Sequence, residues 1–233
     1  MYYSIIGDSI STLSGFNPEN YAVFFSLSAC FIANITGPED TWWWQVINHF
    51  GGELLVNNSF SGSQAAQLKG RNVLFPSACA EERTGGLHSD DRKPDIIIIY
   101  IGTNDWGRGV CPYADKTENP LESFEGGYGK MLADVKKNYP EAEIYVCTLP
   151  KAYKRTKPDF CVSDIINCYS IAEYNGIIRK KAVEFSCRLL DLASYGVPYD
   201  SIDGGHPSNI GMKTLSELMI KEIEKEKTDT EIS

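Results

Sequence analysis

Ile96-Ile97-Ile98-Ile99 restricts the fold of this chain more than any other stretch. Four β-branched side chains in succession favour extended backbone and leave no polar face for water. Such a strand must be covered on both sides, as the central strand of a parallel sheet is. It lies in a longer run from Asp95 to Ile101. Four more runs read as its companions: Tyr2 to Ile6, Leu54-Leu55-Val56, Ile144 to Thr148 and Arg188 to Leu192. Helical patterns separate them. Asp40 or Thr41 can cap a helix running through Trp42-Trp43-Trp44 to Phe50, stopped at Gly51-Gly52. Phe124, Tyr128, Met131, Leu132 and Val135 fall on one helical face, and Tyr174, Ile178, Ala182 and Phe185 on another. Ser208 caps a last helix with Met212, Leu215, Met219 and Ile223 inward. Strands alternating with helices imply right-handed crossovers, so the expected fold is α/β, a three-layer α/β/α sandwich around a five-stranded parallel sheet. A length of 233 residues suits a single domain, its charged tail from about Glu224 expected to fray.

A net charge of −9 leaves no basic stripe to neutralise phosphates, which argues against nucleic acid as a partner. No apolar stretch is long enough to span a bilayer, and Met1 to Ile6 runs straight into the first polar motif without a leader. No membrane insertion is therefore expected. The seven cysteines (Cys30, Cys79, Cys111, Cys147, Cys161, Cys168 and Cys187) are odd in number and form no Cys-x-x-Cys. They suit reduced thiols in a cytoplasm better than a disulfide framework or a zinc site. Nothing in the sequence fixes an oligomeric state.

Four short polar patches carry the chemistry: Gly7-Asp8-Ser9, Ser61-Gly62-Ser63, Gly102-Thr103-Asn104-Asp105 and Asp203-Gly204-Gly205-His206. Each follows an apolar run or sits between the last strand and the last helix. In an open α/β sheet ligands bind beyond the carboxyl ends of the strands, so patches distant in sequence can converge there. A serine hydroxyl is a weak nucleophile and needs a base, and only three histidines are available. His49 lies on the Trp-rich helix and reads as a packed or surface residue. His88 lies in a polar loop beside Ser89-Asp90-Asp91 and reads as solvated. His206 follows Asp203 by three positions, a spacing that can turn the carboxylate onto Nδ1 and leave Nε2 for the Ser9 proton. Gly62 can bring a backbone N–H close to a developing oxyanion, Asn104 can offer its side-chain amide, and the Ser9 N–H would be a third donor. Asp8 and Asp105 read as loop organisers.

This pattern resembles the SGNH branch of the GDSL-type hydrolases, with Gly7-Asp8-Ser9-Ile10 as first block and isoleucine where the name's leucine would stand. The blocks Asn58-Ser59-Phe60-Ser61-Gly62, Gly102-Thr103-Asn104-Asp105 and Asp203-Gly204-Gly205-His206-Pro207 follow in the family's order, and the resemblance extends from Ser4 to about Ile220. It implies a flavodoxin-like fold and ester hydrolysis through an acyl-serine intermediate. Ser9, Asp203 and His206 would be catalytic, with Ser9, Gly62 and Asn104 as oxyanion hole and no metal or other cofactor. The Gly-x-Ser-x-Gly elbow of α/β-hydrolases is absent around Ser9, as are Gly-x-Gly-x-x-Gly and Walker-type loops.

Trp106 and Arg108 follow Asn104 and are the candidate substrate-binding residues; Arg108 suits a carboxylate, a sugar hydroxyl or plain solvation equally. Consecutive helical residues point about 100° apart, so at most one or two of Trp42, Trp43 and Trp44 can share a sugar-stacking surface. The basic loop from Lys151 to Lys157 could form another wall of the site. Polar, aromatic-punctuated loops favour a small-molecule or carbohydrate ester with a short acyl group, acetyl being the leading expectation. The rivals are a lysophospholipase or thioesterase, an acyltransferase using the same acyl-serine, and a catalytically silent ligand-binding module.

Overall fold

The computed structural model describes residues 1–154, 156–157 and 164–232. Arg155 of the basic loop and Cys161 lie outside the described residues. Five parallel strands form the sheet in the order Glu53–Asn57, Tyr2–Gly7, Ile96–Tyr100, Glu143–Cys147 and Arg188–Leu190. In chain order this is 2-1-3-4-5, the flavodoxin-like arrangement. Ile96–Tyr100 is buried along its whole length, as its unbroken β-branched run demands. It pairs with the first strand from Tyr3↔Ile96 to Gly7↔Tyr100. Their carboxyl ends therefore finish side by side.

The helices fall where the apolar periodicity put them. Trp42–His49 starts at Thr41, whose hydroxyl accepts from the Trp44 N–H, and it packs against the last helix, Asn209–Ile232. Ser216 Oγ donates to Gln45 Oε1 across that pair at 2.6 Å. Phe124–Asn138, capped by Ser123, packs against Ile171–Glu184 and the short Glu81–Gly85 helix. The Ser208 hydroxyl accepts from Gly211 N at the start of the last helix. The backbone of that helix stays helical to Ile232, through the stretch expected to fray. Trp42 and Trp43 are fully buried and Trp44 is 38% exposed, which rules out a three-tryptophan platform. Among the described residues, no helix is long and apolar enough to cross a membrane.

Several short elements have no counterpart in the sequence pattern, among them one helix and two small strand pairs. A short helix, Leu27–Ala33, follows Phe24-Phe25. Ala152–Lys154 pairs in parallel with Tyr199–Ser201, and Ile165–Ile166 forms a small hairpin with Tyr169–Ser170. These strands are two or three residues long, too short for any period to show.

Candidate active site

The first strand ends at Gly7, where a Cβ would stand 2.6 Å from Ser11 Oγ, so the chain can turn sharply only with glycine there. The turn Ser9–Ser11 that follows is braced from within. Asp8 Oδ1 accepts from Ile10 N at 3.0 Å, and Ser11 is held by both buried indoles: Trp42 Nε1 donates to its hydroxyl at 3.2 Å and Trp43 Nε1 to its carbonyl at 3.1 Å. Asn57 Nδ2 donates to the same carbonyl. Ser9 is thereby fixed above the sheet, 6% exposed.

His206 comes from the loop between Tyr199–Ser201 and the last helix. Its Nε2 lies 2.9 Å from Ser9 Oγ, and its Nδ1 lies 2.6 Å from Asp203 Oδ2. The other carboxylate oxygen, Asp203 Oδ1, accepts from the backbone N–H groups of Gly205 and His206 at 3.0 and 2.8 Å. Burial acts to raise the Asp203 carboxyl, but the bonds from the His206 ring and backbone outweigh it and hold it at about 2. An ionised Asp203 can only accept, so Nδ1 carries a proton and Nε2 presents its lone pair to the Ser9 hydroxyl. Phe24 lies flat on the imidazole, ring centroids 3.4 Å apart and planes within 5°. The other two histidines are bound elsewhere, His49 to Glu224 and His88 to Gly85 O and Tyr139 OH.

Gly62 has φ +82°, in the region that favours glycine. Its carbonyl accepts from Arg71 Nη2 at 3.0 Å. Asn104 Nδ2 donates one N–H to Ser63 O at 3.1 Å, and the amide has a second to offer. Asp105 joins the two loops: its carboxylate oxygens accept from Ala65 N and Ala66 N at 2.9 and 3.0 Å. Burial pushes its carboxyl up to about 7, and that of Asp8 up to about 6. Both aspartates organise loops, as read from the sequence.

A cleft of about 420 Å³ is lined by Ser9, Asn104, Trp106, Arg108 and His206 together with Ile166. Trp106 and Arg108 thus border the same space as Ser9 and His206; Gly62 does not line it, and its neighbour Ser63 is bonded to Asn104. The sequence missed Ile166, Phe24 and Arg71. None of the three has a chemical signature in the primary structure, since each is brought to the site only by tertiary folding. The arrangement can pass a proton from Ser9 Oγ to His206 Nε2.

Residues 1–149 match the family described as GDSL-like Lipase/Acylhydrolase. Over 191 residues, 77% of the chain, it is 25% identical to the cellulase/esterase CelE of Acetivibrio thermocellus. It is 26% identical over 182 residues, 76% of the chain, to a multidomain esterase of Ruminococcus flavefaciens. In each case the match covers 21% of the relative, so the chain spans about a fifth of the length of these proteins. A crystal structure described as a GDSL-like lipase from Bacteroides ovatus superposes with a TM-score of 0.73 at 25% identity, covering 96% of this chain and 98% of that one.

Proposed function

The chain belongs to the GDSL-like lipase/acylhydrolase family of carboxylic ester hydrolases, and on that premise we propose that it is a serine esterase removing a short acyl group, acetyl by preference, from a carbohydrate. The observation that carries this reading is the unbroken chain Asp203–His206–Ser9, with bonds of 2.6 and 2.9 Å. Ser9 Oγ attacks the ester carbonyl as its proton passes to His206 Nε2. The tetrahedral oxyanion forms against the N–H groups of Ser9, Gly62 and Asn104. His206 then returns the proton to the leaving alcohol, and water repeats the sequence on the acyl-serine to release the acid.

The carbohydrate reading rests on the polar and aromatic character of the cleft wall, to which Trp106 and Arg108 contribute. Kinship with a protein described as a cellulase/esterase agrees with it. A longer acyl ester or thioester is a second reading, favoured by one feature. Beyond Trp106 the cleft shares walls with a narrow neck, and the neck with an apolar hollow of about 330 Å³ lined by Leu149, Pro150, Ile171 and Val197.

Hydrolysis of p-nitrophenyl acetate, butyrate and octanoate, with Ser9→Ala alongside, separates these. Preference for acetate with loss in Ser9→Ala supports the deacetylase, and release of acetate from acetylated sugars completes the case. Preference for octanoate favours the hollow as an acyl site. Wild-type turnover by Ser9→Ala refutes the serine mechanism.

A further inference from the structure

Glu81-Glu82-Arg83 opens a five-residue helix in the long connection after the second strand, where an arginine would ordinarily reach water. Arg83 instead turns inward and is fully buried. Its Nε donates to Asn58 O at 3.0 Å. Nη1 donates to Ser63 Oγ at 2.8 Å and Pro76 O at 3.2 Å, and Nη2 to Gly7 O at 3.0 Å. Asn58 returns the contact, its Nδ2 donating to Arg83 O and Gly86 O, each at 3.0 Å. All four acceptors of the guanidinium are neutral oxygens. Burial lowers its pKa to about 10, against the pull of Tyr21, Glu82 and Asp8, so it remains a cation at neutral pH.

A buried cation whose direct partners are all neutral is an expensive tie, and uncharged amides could join the same carbonyls at less desolvation cost. The positions of its acceptors give the charge a use. Gly7 lies two residues before Ser9. Ser63 follows Gly62 directly, and its carbonyl accepts from Asn104 Nδ2. One planar group therefore grips the segments that carry Ser9 and Gly62, and Ser63 passes the tie on to Asn104. Its rigid fork fixes their spacing in a way a flexible ammonium cannot.

We propose that Arg83 is a positioning residue for ester hydrolysis, setting the mutual spacing of the Ser9, Gly62 and Asn104 donors and placing a buried positive charge behind the oxyanion. This rests on the serine-esterase reading above.

The test compares Arg83→Met, which keeps bulk without charge or donors, and Arg83→Lys, which keeps charge with fewer donors. Turnover of p-nitrophenyl acetate, inhibition by phenylboronic acid as a tetrahedral mimic, and circular dichroism melts are measured on each. Misplacing the donors by about 1 Å costs on the order of 100-fold, so Arg83→Met should lose about that much kcat with KM within about threefold. Boronate affinity should weaken with kcat, and Arg83→Lys should fall between. A merely structural residue would lower the melting temperature and leave kcat and boronate affinity near wild type in the folded fraction; that result overturns the proposal. Should Arg83→Met not fold, Ser63→Ala removes one anchor alone. A kcat reduced several-fold at unchanged KM then supports the clamp, and an unchanged kcat overturns it. Ser9→Ala, run beside them, keeps the two readings apart. If it retains wild-type turnover, the serine mechanism falls and takes the clamp with it. If it is dead beside a fully active, folded Arg83→Met, the clamp alone falls.

Discussion

Replacing Asp203 by asparagine tests the proton path most directly, because the surrounding bonds dictate which way the new amide must point. Asp203 Oδ1 accepts from two backbone N–H groups, while among the described residues Oδ2 bonds only the His206 ring. An asparagine keeps its single acceptor oxygen where two donors point at it, so its NH₂ turns to Nδ1. Nδ1 must then accept, which places the ring proton on Nε2, facing Ser9. The base is lost although no atom need move. In serine proteases the same exchange costs about 10⁴-fold in kcat through the wrong tautomer. Asp203 is 47% exposed, and water can supply part of what the carboxylate gives, so the expectation here is a loss of about 10³-fold or more. At 1.36 kcal/mol per factor of ten this is about 4 kcal/mol of transition-state stabilisation. Steady-state hydrolysis of p-nitrophenyl acetate should show it in kcat with KM little changed, and the melting temperature should stay close to wild type. An asparagine variant turning over within tenfold of wild type would refute the tautomer argument and leave Asp203 as a loop anchor.

Asn104→Ala removes one of the proposed oxyanion donors and should lower kcat by about 100-fold or more, read in the same assay. Phe24→Ala takes away the ring stacked on His206. At about 0.5–1.5 kcal/mol for such a pair, kcat should fall by about two- to thirteenfold, with the effect absent from a His206→Ala background. Asp8 is predicted to tune stability with pH. Its carboxyl, raised to about 6 by burial, holds a proton in the folded chain that it gives up on unfolding. Its stabilising contribution is therefore full below about pH 4 and is lost as pH rises through 6. Melts of Asp8→Asn at pH 5 and pH 8 should differ less than those of the wild type; an equal pH dependence would show that Asp8 is ionised throughout.

The sheet and the site were legible in the sequence for the same reason. A buried parallel strand needs an unbroken apolar run, and the reactive loops begin where such runs stop. Gly7, Gly102 and the Asp203–His206 spacing announce themselves because tight turns and proton relays admit few residue types. Arg83 was not legible. Beside Glu81 and Glu82 it looks like part of a solvated charged turn, and only the folded connection shows it pointing inward. Phe24 was hidden for the opposite reason: in Tyr21-Ala22-Val23-Phe24-Phe25 it is one apolar side chain among several, and its ring gains a role only because a loop from the far end of the chain arrives beneath it.

Ser9 and His206 are separated by nearly the whole chain, yet they share one mount. The Trp42–His49 helix holds the serine turn through two indoles, and it is bonded to the helix that begins just past His206. A strain that shifts this helix pair therefore carries acid, base and hydroxyl together. Arg108 and Ile166 stand outside this helix pair, at the end of the short helix Thr103–Gly107 and in the small hairpin. The Ser9–His206 pair is thus geared to one helix pair, while part of the cleft wall is carried by elements outside it.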